Sequence, residues 1–348
     1  MRKWIEENQQ YLKKSIDGIP SDHHAYCLWP SFPFIKTGSE VDLYDYFHSK
    51  ELMYDCQKRV IDALDGAFAF FPDSGTVAEC SGLQCEVRFN DDGFPHVKKN
   101  GITEFDDIIK LKPGDPWGDN FMRRNLEVLE YIKPRVGSEY DVVPAISNGP
   151  FTCAAQFYGI GDFCEAILLD PDAVRALLDL TTETCISFLR EQEKILGHID
   201  RIIIGDDIPG FINTSHFREF VASDYKRIFD AFPNTEFWLH NDADSIHLAE
   251  CIAECGFSVW HMGYFNSVTE AAERTKGKLS ICGNLKPIDF AKINPTEAYA
   301  ACVDELKSFG GNTKLIISTG GFIGMGTPIE NILAMMRAAN EFVIDSHC

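Results

Sequence analysis

The sequence is poor in positive charge. It contains 32 lysines and arginines against 53 aspartates and glutamates, which gives a formal net charge of −21 at pH 7. Such a chain has little with which to replace the counterions of a phosphate backbone, so we expect no nucleic-acid partner. A small molecule, or a protein that carries a complementary patch, is compatible with this charge.

Long apolar runs are also missing. No stretch approaches the roughly 18 apolar residues that a membrane-spanning helix needs. Residues 1–10, MRKWIEENQQ, are polar and unlike the start of a secretion signal. We therefore expect a cytoplasmic protein that does not enter a membrane.

The chain has 12 cysteines but lacks any CxxC motif. The shortest spacings are Cys80/Cys85 and Cys251/Cys255. A disulfide framework is unusual in a chain of this size without a secretion signal. We expect reduced thiols, as in the cytosol of an anaerobe.

Eight short apolar runs recur along the chain, and each ends in polar residues, glycine or proline. They are AYCLWP (25–30), GAFAFFPD (66–73), DVVPAISNGP (141–150), RIIIGDD (201–207), EFWLHND (236–242), FSVWHMG (257–263), KLSICGN (278–284) and KLIISTGG (314–321). Between such runs, residues 171–196, 215–232 and 295–309 have the three- and four-residue apolar spacing of helices. The alternation indicates a parallel sheet, and eight strands favour an α/β fold of the (β/α)8 TIM barrel type over an open doubly wound sheet.

Two segments interrupt this alternation. Residues 85–99, CEVRFNDDGFPHVKK, are expected to form an inserted β-hairpin over the barrel, with its turn at residues 90–93. Residues 1–50 are expected to be an N-terminal extension that wraps the barrel rim. We find no internal repeat or linker, so residues 1–348 are predicted to form a single domain.

Polar side chains follow several of the predicted strands. In a parallel barrel the carboxyl ends of the strands meet on one face, where the chemistry of such folds takes place. Each residue alone could equally cap a helix or bond a loop backbone. Together they predict a site in which the catalytic candidates are His240, Asp206, Asp207 and Asp242. The candidates for contacts with a substrate are Asn148, Tyr158, Asn241, His261, Asn284, Gly320 and Phe322.

Asp206 and Asp207 follow one strand directly. Successive residues of a strand point to opposite faces, so at most one of the two is expected to face the barrel axis. The other would cap the next helix or pair with an arginine. The sequence leaves open which is which.

His240 and Asp242 are two residues apart, which places both side chains on one side of an extended segment. Imidazole and carboxylate are zinc ligands, so the pair is a candidate metal site. At least one further ligand must come from elsewhere, and the candidates are Asp207, Glu219 and Cys282. A hydrogen-bonded acid–base pair of His240 and Asp242 is an equally compatible interpretation.

Several longer stretches resemble motifs of the uroporphyrinogen decarboxylase superfamily. They are GDDIPGFINTSHFREFV, WLHNDADSIHLAECIAECGFSVWHMG, ICGNLKPIDF and STGGFIGMGTPIENILAMMRAA, in this order, and SNGPFTCAAQFYGIGDFCEAILLDPDAVRALLDLTTE fits the middle section of the same family. The resemblance covers roughly residues 55–343. It implies a (β/α)8 barrel with its site at the carboxyl ends of the strands.

The resemblance allows two branches of that superfamily. The decarboxylases carry an arginine-rich segment near the N-terminus for their acidic tetrapyrrole, and AYCLWPSFPF holds no arginine. The other branch is the corrinoid-dependent methyltransferases. Those that methylate a thiol bind zinc through His-x-Cys and a distant Cys. Here His240 matches the histidine, Asp242 stands at the first cysteine, and Gly320 or Gly321 stands at the second.

A carboxylate in place of a thiolate suggests a harder, oxygen-directed metal site. The resemblance then implies an anaerobic O-demethylase component, which passes a methyl group from a methoxylated aromatic substrate to the Co(I) cobamide of a separate small corrinoid protein docked at the barrel mouth. Some such members are thought to bind zinc through carboxylates and a histidine, which keeps Asp207 and Glu219 as candidate ligands. The alternatives are a decarboxylase and a methylcobamide:thiol methyltransferase with an altered metal site. A homo-oligomer is compatible with either.

Aromatic residues near strand ends could sandwich the ring of such a substrate. The candidates are Phe151, Tyr158, Trp260 and Phe322. Membership of the hydrophobic core is an equally good interpretation of each.

Overall fold

The computed structural model describes residues 2–136 and 140–344 of the chain. Its strands are β1 (Glu86–Phe89), β2 (Pro95–Lys98), β3 (Ser147–Asn148), β4 (Arg201–Gly205), β5 (Glu236–Asn241), β6 (Val259–Met262), β7 (Ser280–Leu285) and β8 (Leu315–Thr319).

Helices fill most of the chain between these strands. Up to β4 they are α1 (Arg2–Asp17), α2 (Phe32–Ile35), α3 (Leu43–His48), α4 (Lys50–Ala63), α5 (Ala78–Gly82), α6 (Phe105–Ile108), α7 (Phe121–Val136), α8 (Pro150–Tyr158), α9 (Ile160–Leu169) and α10 (Pro171–Leu196). After β4 they are α11 (Thr214–Phe220), α12 (Ala222–Ala231), α13 (Ala249–Cys255), α14 (Val268–Thr275), α15 (Pro287–Phe290), α16 (Pro295–Phe309) and α17 (Ile329–Glu341). Short 3-10 helices at Ile208–Phe211 and Ile246–Leu248 follow β4 and β5.

Strands β3 to β8 form one sheet in which they lie in chain order. The pairing is parallel between β3 and β4, between β6 and β7, and between β7 and β8. Parallel strands that are neighbours both in the chain and in the sheet, with helices between them, are typical of (β/α)8 folds. The prediction of an α/β fold of this class is confirmed.

Two of the eight predicted strands are reduced to single bridges. Tyr26 bridges Ile317 of β8, and Phe70 bridges Val142, both in parallel orientation. A proline follows within each of these apolar runs, and proline has no N–H with which to continue a ladder. The runs at 25–30 and 66–73 therefore take strand positions without forming longer strands.

The chain divides into two compact units, and the division falls inside β5. The first unit comprises Met1–Glu40, Asp55–Ala69 and His240–Cys348, and the second comprises Val41–Tyr54 and Phe70–Leu239. The expectations of a single domain, and of an N-terminal segment that wraps it, stay predictions.

In the first unit, β8 contacts α14 and α16, and α16 packs against α17. Helix α1 lies against this layer, since Ser15 Oγ donates a hydrogen bond to Ser280 Oγ of β7 at 3.1 Å. The buried side chains of the strands, among them Trp260, Ile281 and Ile316, form the core here. Trp260 therefore belongs to the core and not to an exposed ring-binding surface.

In the second unit, α10 packs against α7, α8 and α12. The predicted hairpin is present and confirmed: β1 and β2 pair antiparallel, with Glu86 opposite Lys98. The side-chain oxygen of Asn90 accepts hydrogen bonds from the backbone N–H groups of Asp92 and Phe94, at 3.1 and 2.8 Å. An asparagine that bonds the backbone ahead of it is what closes such a turn.

The cysteines of the described residues are in the thiol form. Most of them are buried, where burial raises the pKa of a thiol. Among the described residues, no helix combines the length and the apolar character that crossing a membrane requires.

Candidate functional site

The carboxyl end of β5 brings His240 and Asp242 together. His240 is 3% exposed at the end of the strand, and Asp242 is half-buried just beyond it. A ring nitrogen of His240 and a carboxylate oxygen of Asp242 lie within 4.8 Å of one another. This proximity is what the two-residue spacing predicted.

His240 is also hydrogen-bonded to a second histidine. Its Nδ1 atom lies 2.8 Å from Nδ1 of His261 in β6. The Nε2 atom of His261 lies 2.8 Å from the backbone carbonyl oxygen of Thr319, the last residue of β8. Both ring nitrogens of His261 are therefore occupied, which leaves neither for the substrate contact expected from the sequence.

Burial governs the protonation of His261. Its side chain has no exposed surface, and desolvation, followed by the neighbouring His240, holds its pKa well below the usual value. A neutral imidazole is the form that a dry, fully enclosed position favours.

Aromatic rings enclose the two histidines. Trp29 stacks on His261, with ring centroids 3.9 Å apart and an interplanar angle of 6°, and it also lies 5.5 Å from the ring of His240. The ring centroid of Phe322, a predicted substrate contact, lies 4.7 Å from that of His240. Trp29 was missed, although its position at the end of an apolar run was visible in the sequence.

The loop after β8 passes close to Asp242. A Cβ atom on Gly321 would lie 2.9 Å from Oδ2 of Asp242, and the backbone of Gly321 has φ +108°. A Cβ atom on Gly320 would lie 2.7 Å from the backbone nitrogen of Tyr264. Both positions therefore require glycine, and Gly321 is the one beside the candidate site.

Two predicted substrate contacts are engaged in holding loops. Asn241 is buried, and its Oδ1 accepts a hydrogen bond from Ser245 Oγ at 2.6 Å. Asn284 donates from Nδ2 to the backbone oxygen of Asn266, which joins the end of β7 to the loop after β6. Both side chains therefore hold loops in place through these hydrogen bonds.

Asp206, after β4 in the second unit, is fully buried. Its Oδ1 accepts hydrogen bonds from the N–H and the hydroxyl of Thr152, at 2.8 and 2.6 Å, and its Oδ2 accepts from the Tyr225 hydroxyl at 3.0 Å. Desolvation raises the pKa of this carboxyl to about 7. Because Thr152 lies in the first turn of α8, Asp206 satisfies the start of that helix.

Asp207 and Glu219 differ from Asp206 in exposure. Asp207 is half-buried and directly precedes the 3-10 helix after β4, without a capping hydrogen bond from its side chain. The carboxylate of Glu219 lies 3.1 Å from Nη2 of Arg175, and both side chains are about half exposed. This surface ion pair accounts for Glu219, so the residue leaves our set of candidate ligands.

At the end of β3, Asn148 is likewise bound inside the second unit. Its Nδ2 donates to the carbonyl oxygen of Thr76 at 2.7 Å, and its N–H donates to Oε1 of the fully buried Glu79 at 2.9 Å. Burial raises the pKa of Glu79 to about 7. Tyr158 is buried at the end of α8 with its ring 6.1 Å from Phe163, which places it in the core.

The donor atoms at the end of β5 fit a metal ion in kind. An imidazole nitrogen and a carboxylate oxygen suit zinc, and the carboxylate favours a harder cation than a thiolate would. Cys282, a candidate ligand from the sequence, is fully buried, and burial raises its pKa well above the usual value. In the metal-free protein Cys282 is therefore a neutral thiol.

Comparisons with known proteins agree with the fold. The chain matches the family model described as uroporphyrinogen decarboxylase (URO-D) over residues 34–342. It is similar to a solved methyltransferase from Methanosarcina mazei, with a TM-score of 0.75 and 20% identity, over 96% of this chain and 98% of that one.

Curated relatives include both methyltransferases and decarboxylases. The methylcobamide:CoM methyltransferase MtaA of Methanosarcina barkeri is 24% identical over 243 residues, 66% of this chain and 67% of that protein. The methylated-thiol–coenzyme M methyltransferase of Methanosarcina mazei is 22% identical over 268 residues, 76% and 70% of the two chains. The uroporphyrinogen decarboxylase of Nitrosomonas europaea is 24% identical over 301 residues, 82% and 81% of the two chains.

A parallel sheet in chain order defines an α/β protein of the barrel class, and its candidate site is the histidine and the carboxylate at the end of β5. The chain belongs to the uroporphyrinogen decarboxylase family. The resemblance to the methyltransferase branch of that superfamily is confirmed by its relatives.

Proposed function

We propose that this protein is a corrinoid-dependent methyltransferase, which moves a methyl group from a small methylated substrate to the Co(I) cobamide of a separate corrinoid protein. The family match, the fold and the two methyltransferase relatives support this class. The finer proposal is that the substrate is a methoxylated aromatic compound and that the protein is the O-demethylase component of a cytoplasmic demethylation system.

The observation that carries the finer proposal is the pairing of His240 with Asp242. The resemblance assigns cysteines to the positions of Asp242 and of Gly320 or Gly321 in thiol-methylating members, and neither is present. A site with a carboxylate instead of two thiolates is suited to an oxygen-bound methyl group.

The pair would hold zinc through a ring nitrogen of His240 and a carboxylate oxygen of Asp242. We propose Asp207 as a third ligand because its sequence position, directly after β4, is the carboxyl end of a strand, where the sites of such folds lie. When bound, the zinc ion supplies a Lewis acid for the oxygen of the leaving group. Asp206 acts in this proposal only as the brace of α8.

In the reaction, Co(I) provides the electron pair of the new cobalt–methyl bond, and the carbon–oxygen bond breaks with its pair on oxygen. The leaving phenolate has a conjugate acid of pKa ~10, so the oxygen needs a proton or a Lewis acid as it departs. In the absence of a metal, a protonated His240 is the proposed donor of that proton. With zinc held by His240, the zinc ion would be the Lewis acid and water would supply the proton. The products are the phenol and methylcobamide, which balances the atoms and the charge.

The test mixes the protein with reduced cobamide, either on a corrinoid protein or as free cob(I)alamin, and a panel of methoxyarenes. We expect the absorbance of methylcobamide to appear together with one equivalent of the phenol. Parallel samples contain methylcobamide with coenzyme M, and uroporphyrinogen.

The samples separate the alternatives. Activity with coenzyme M alone would overturn the O-demethylase proposal and keep the methyltransferase class, while release of CO2 from uroporphyrinogen would favour a decarboxylase. If no donor yields methylcobamide and no thiol accepts a methyl group, the methyltransferase proposal is wrong.

A further inference from the structure

The shared hydrogen bond between His240 and His261 constrains where the protons of the two rings lie. Their Nδ1 atoms are 2.8 Å apart, and Nε2 of His261 is 2.8 Å from the carbonyl oxygen of Thr319. A carbonyl oxygen only accepts, so Nε2 of His261 must carry a proton.

One proton lies between the two Nδ1 atoms, since two lone pairs or two N–H groups at this distance would repel. A neutral imidazole carries a single N–H, and that of His261 is already used toward Thr319. The proton between the rings therefore belongs to Nδ1 of His240, which donates to the lone pair of His261. In neutral His240, Nε2 is then the nitrogen that keeps a lone pair.

The ring of His261 is held firmly enough to impose this choice. It is fully buried, Trp29 stacks on one face at 3.9 Å, and its acceptor partner is main chain at the end of β8. A backbone carbonyl in a strand cannot rotate away as a side chain can. The orientation of His261 is thus set by the sheet itself.

We propose that His261 is a positioning residue, which holds His240 in the Nδ1–H tautomer and so reserves Nε2 of His240 for a metal ion or a proton. The use of that nitrogen in methyl transfer rests on the proposed function, whereas the tautomer does not. A histidine whose tautomer is not fixed carries its proton on Nε2 for part of the time and is then unable to bind a metal there.

The test compares two substitutions of His261. In His261→Gln, the amide oxygen can accept from His240 and the amide N–H2 can donate to Thr319, so both bonds can be rebuilt. In His261→Leu, neither bond can form. His247→Gln, at an exposed histidine, is the matched control.

The first measurement is the tautomer of His240 in metal-free protein labelled with 15N-histidine, assigned through the loss of its signals in His240→Ala. We expect wild type, His261→Gln and His247→Gln to show the Nδ1–H form, and His261→Leu to gain the Nε2–H form. The second is zinc affinity in competition with a chromophoric chelator. We expect His261→Leu to bind about 10- to 100-fold more weakly and His261→Gln to recover most of the loss.

The outcomes separate this inference from the proposed function. An Nε2–H tautomer for His240 in the wild type, or an unchanged tautomer in a folded His261→Leu, would overturn the inference. A wild type with the expected tautomer that transfers no methyl group, or binds no zinc, would overturn the corresponding part of the proposed function and leave the inference standing. If His261→Leu does not fold, the tautomer of His240 in the wild type and in His261→Gln still tests the inference, because an Nε2–H form in either protein would contradict it.

Discussion

Strands β4 and β5 end in similar sequences but in different surroundings. After β4, Asp206 is fully buried and receives three hydrogen bonds, from two groups of Thr152 and from Tyr225. After β5, His240 uses one ring nitrogen toward His261, and Asp242 stays half-buried within 4.8 Å of its ring. At the first end the hydrogen bonds of Asp206 hold α8, while at the second the bond to His261 orients the ring that we propose for a ligand.

The difference shows that a polar residue after an apolar strand has two uses. A parallel strand leads into a helix whose first N–H groups need acceptors, and a buried carboxylate can supply them. A site needs the opposite, namely a side chain oriented by one partner with a second atom left over. The number of hydrogen-bond partners of each polar atom distinguishes a helix brace from a site residue, and only the structure gives that number.

The largest expected effect is on activity, and it comes from a substitution at the carboxyl end of β5. We expect His240→Gln to lower the rate of methyl transfer to cob(I)alamin by about 10²- to 10⁴-fold, because the group that donates the proton or binds the metal is lost. Zinc content should fall in parallel. His247→Gln is the control, and a His240→Gln protein with the wild-type rate would show that the β5 end is not catalytic.

The second-largest expected effect is on stability, and it comes from substitutions of Asp206 after β4. Asp206→Ala leaves buried donors of Thr152 and Tyr225 without an acceptor, at about 1–3 kcal/mol each, so we expect the free energy of unfolding in urea to drop by about 3–5 kcal/mol. Asp206→Asn retains one acceptor oxygen and should lose much less. Equal losses in the two variants would argue that Asp206 is not a brace.

The smallest effect concerns Glu79, a third buried carboxyl, whose Oε1 accepts from Ser147 and Asn148. Its pKa rises from 4.5 to about 7 on burial, so between these values the folded protein holds a proton that the unfolded chain has released. The folded state therefore loses stability as the pH rises, by roughly 1.4 kcal/mol per pH unit from this group.

Glu79→Gln removes this contribution, so unfolding curves recorded from pH 4.5 to 7 should fall less steeply with pH than those of the wild type. Glu130→Gln, at an exposed glutamate, should keep the wild-type slope. A Glu79→Gln protein with the wild-type slope would mean that Glu79 is ionised in the folded state throughout.

Much of the architecture could be predicted because local signals set it. The helices predicted at 171–196 and 295–309 have the bounds of α10 and α16. Each begins at a proline preceded by a capping side chain, Asp170 in one and Asn294 in the other. Such caps depend only on residues that are neighbours in the sequence, so they can be predicted without knowledge of the fold.

The site was predicted less completely because its contacts join residues distant in sequence. The pair His240 and Asp242 followed from spacing, but the bond to His261 spans 21 residues and the Trp29 stack joins residues far apart in the chain. No periodicity encodes such pairings. Asp206 and Asp207 were inseparable for the same reason, since the partners of Asp206 lie 54 and 19 residues away.

The contact between Gly321 and Asp242 makes the two positions interdependent in evolution. A side chain at Gly321 would start 2.9 Å from an oxygen of Asp242 and would require a backbone that glycine adopts with least strain. A cysteine gained at 321 alone would therefore displace the carboxylate, and one gained at 242 alone would lack its companion thiol. Conversion between carboxylate and thiolate chemistry in this scaffold thus needs both changes together, which makes the present state hard to leave by single substitutions.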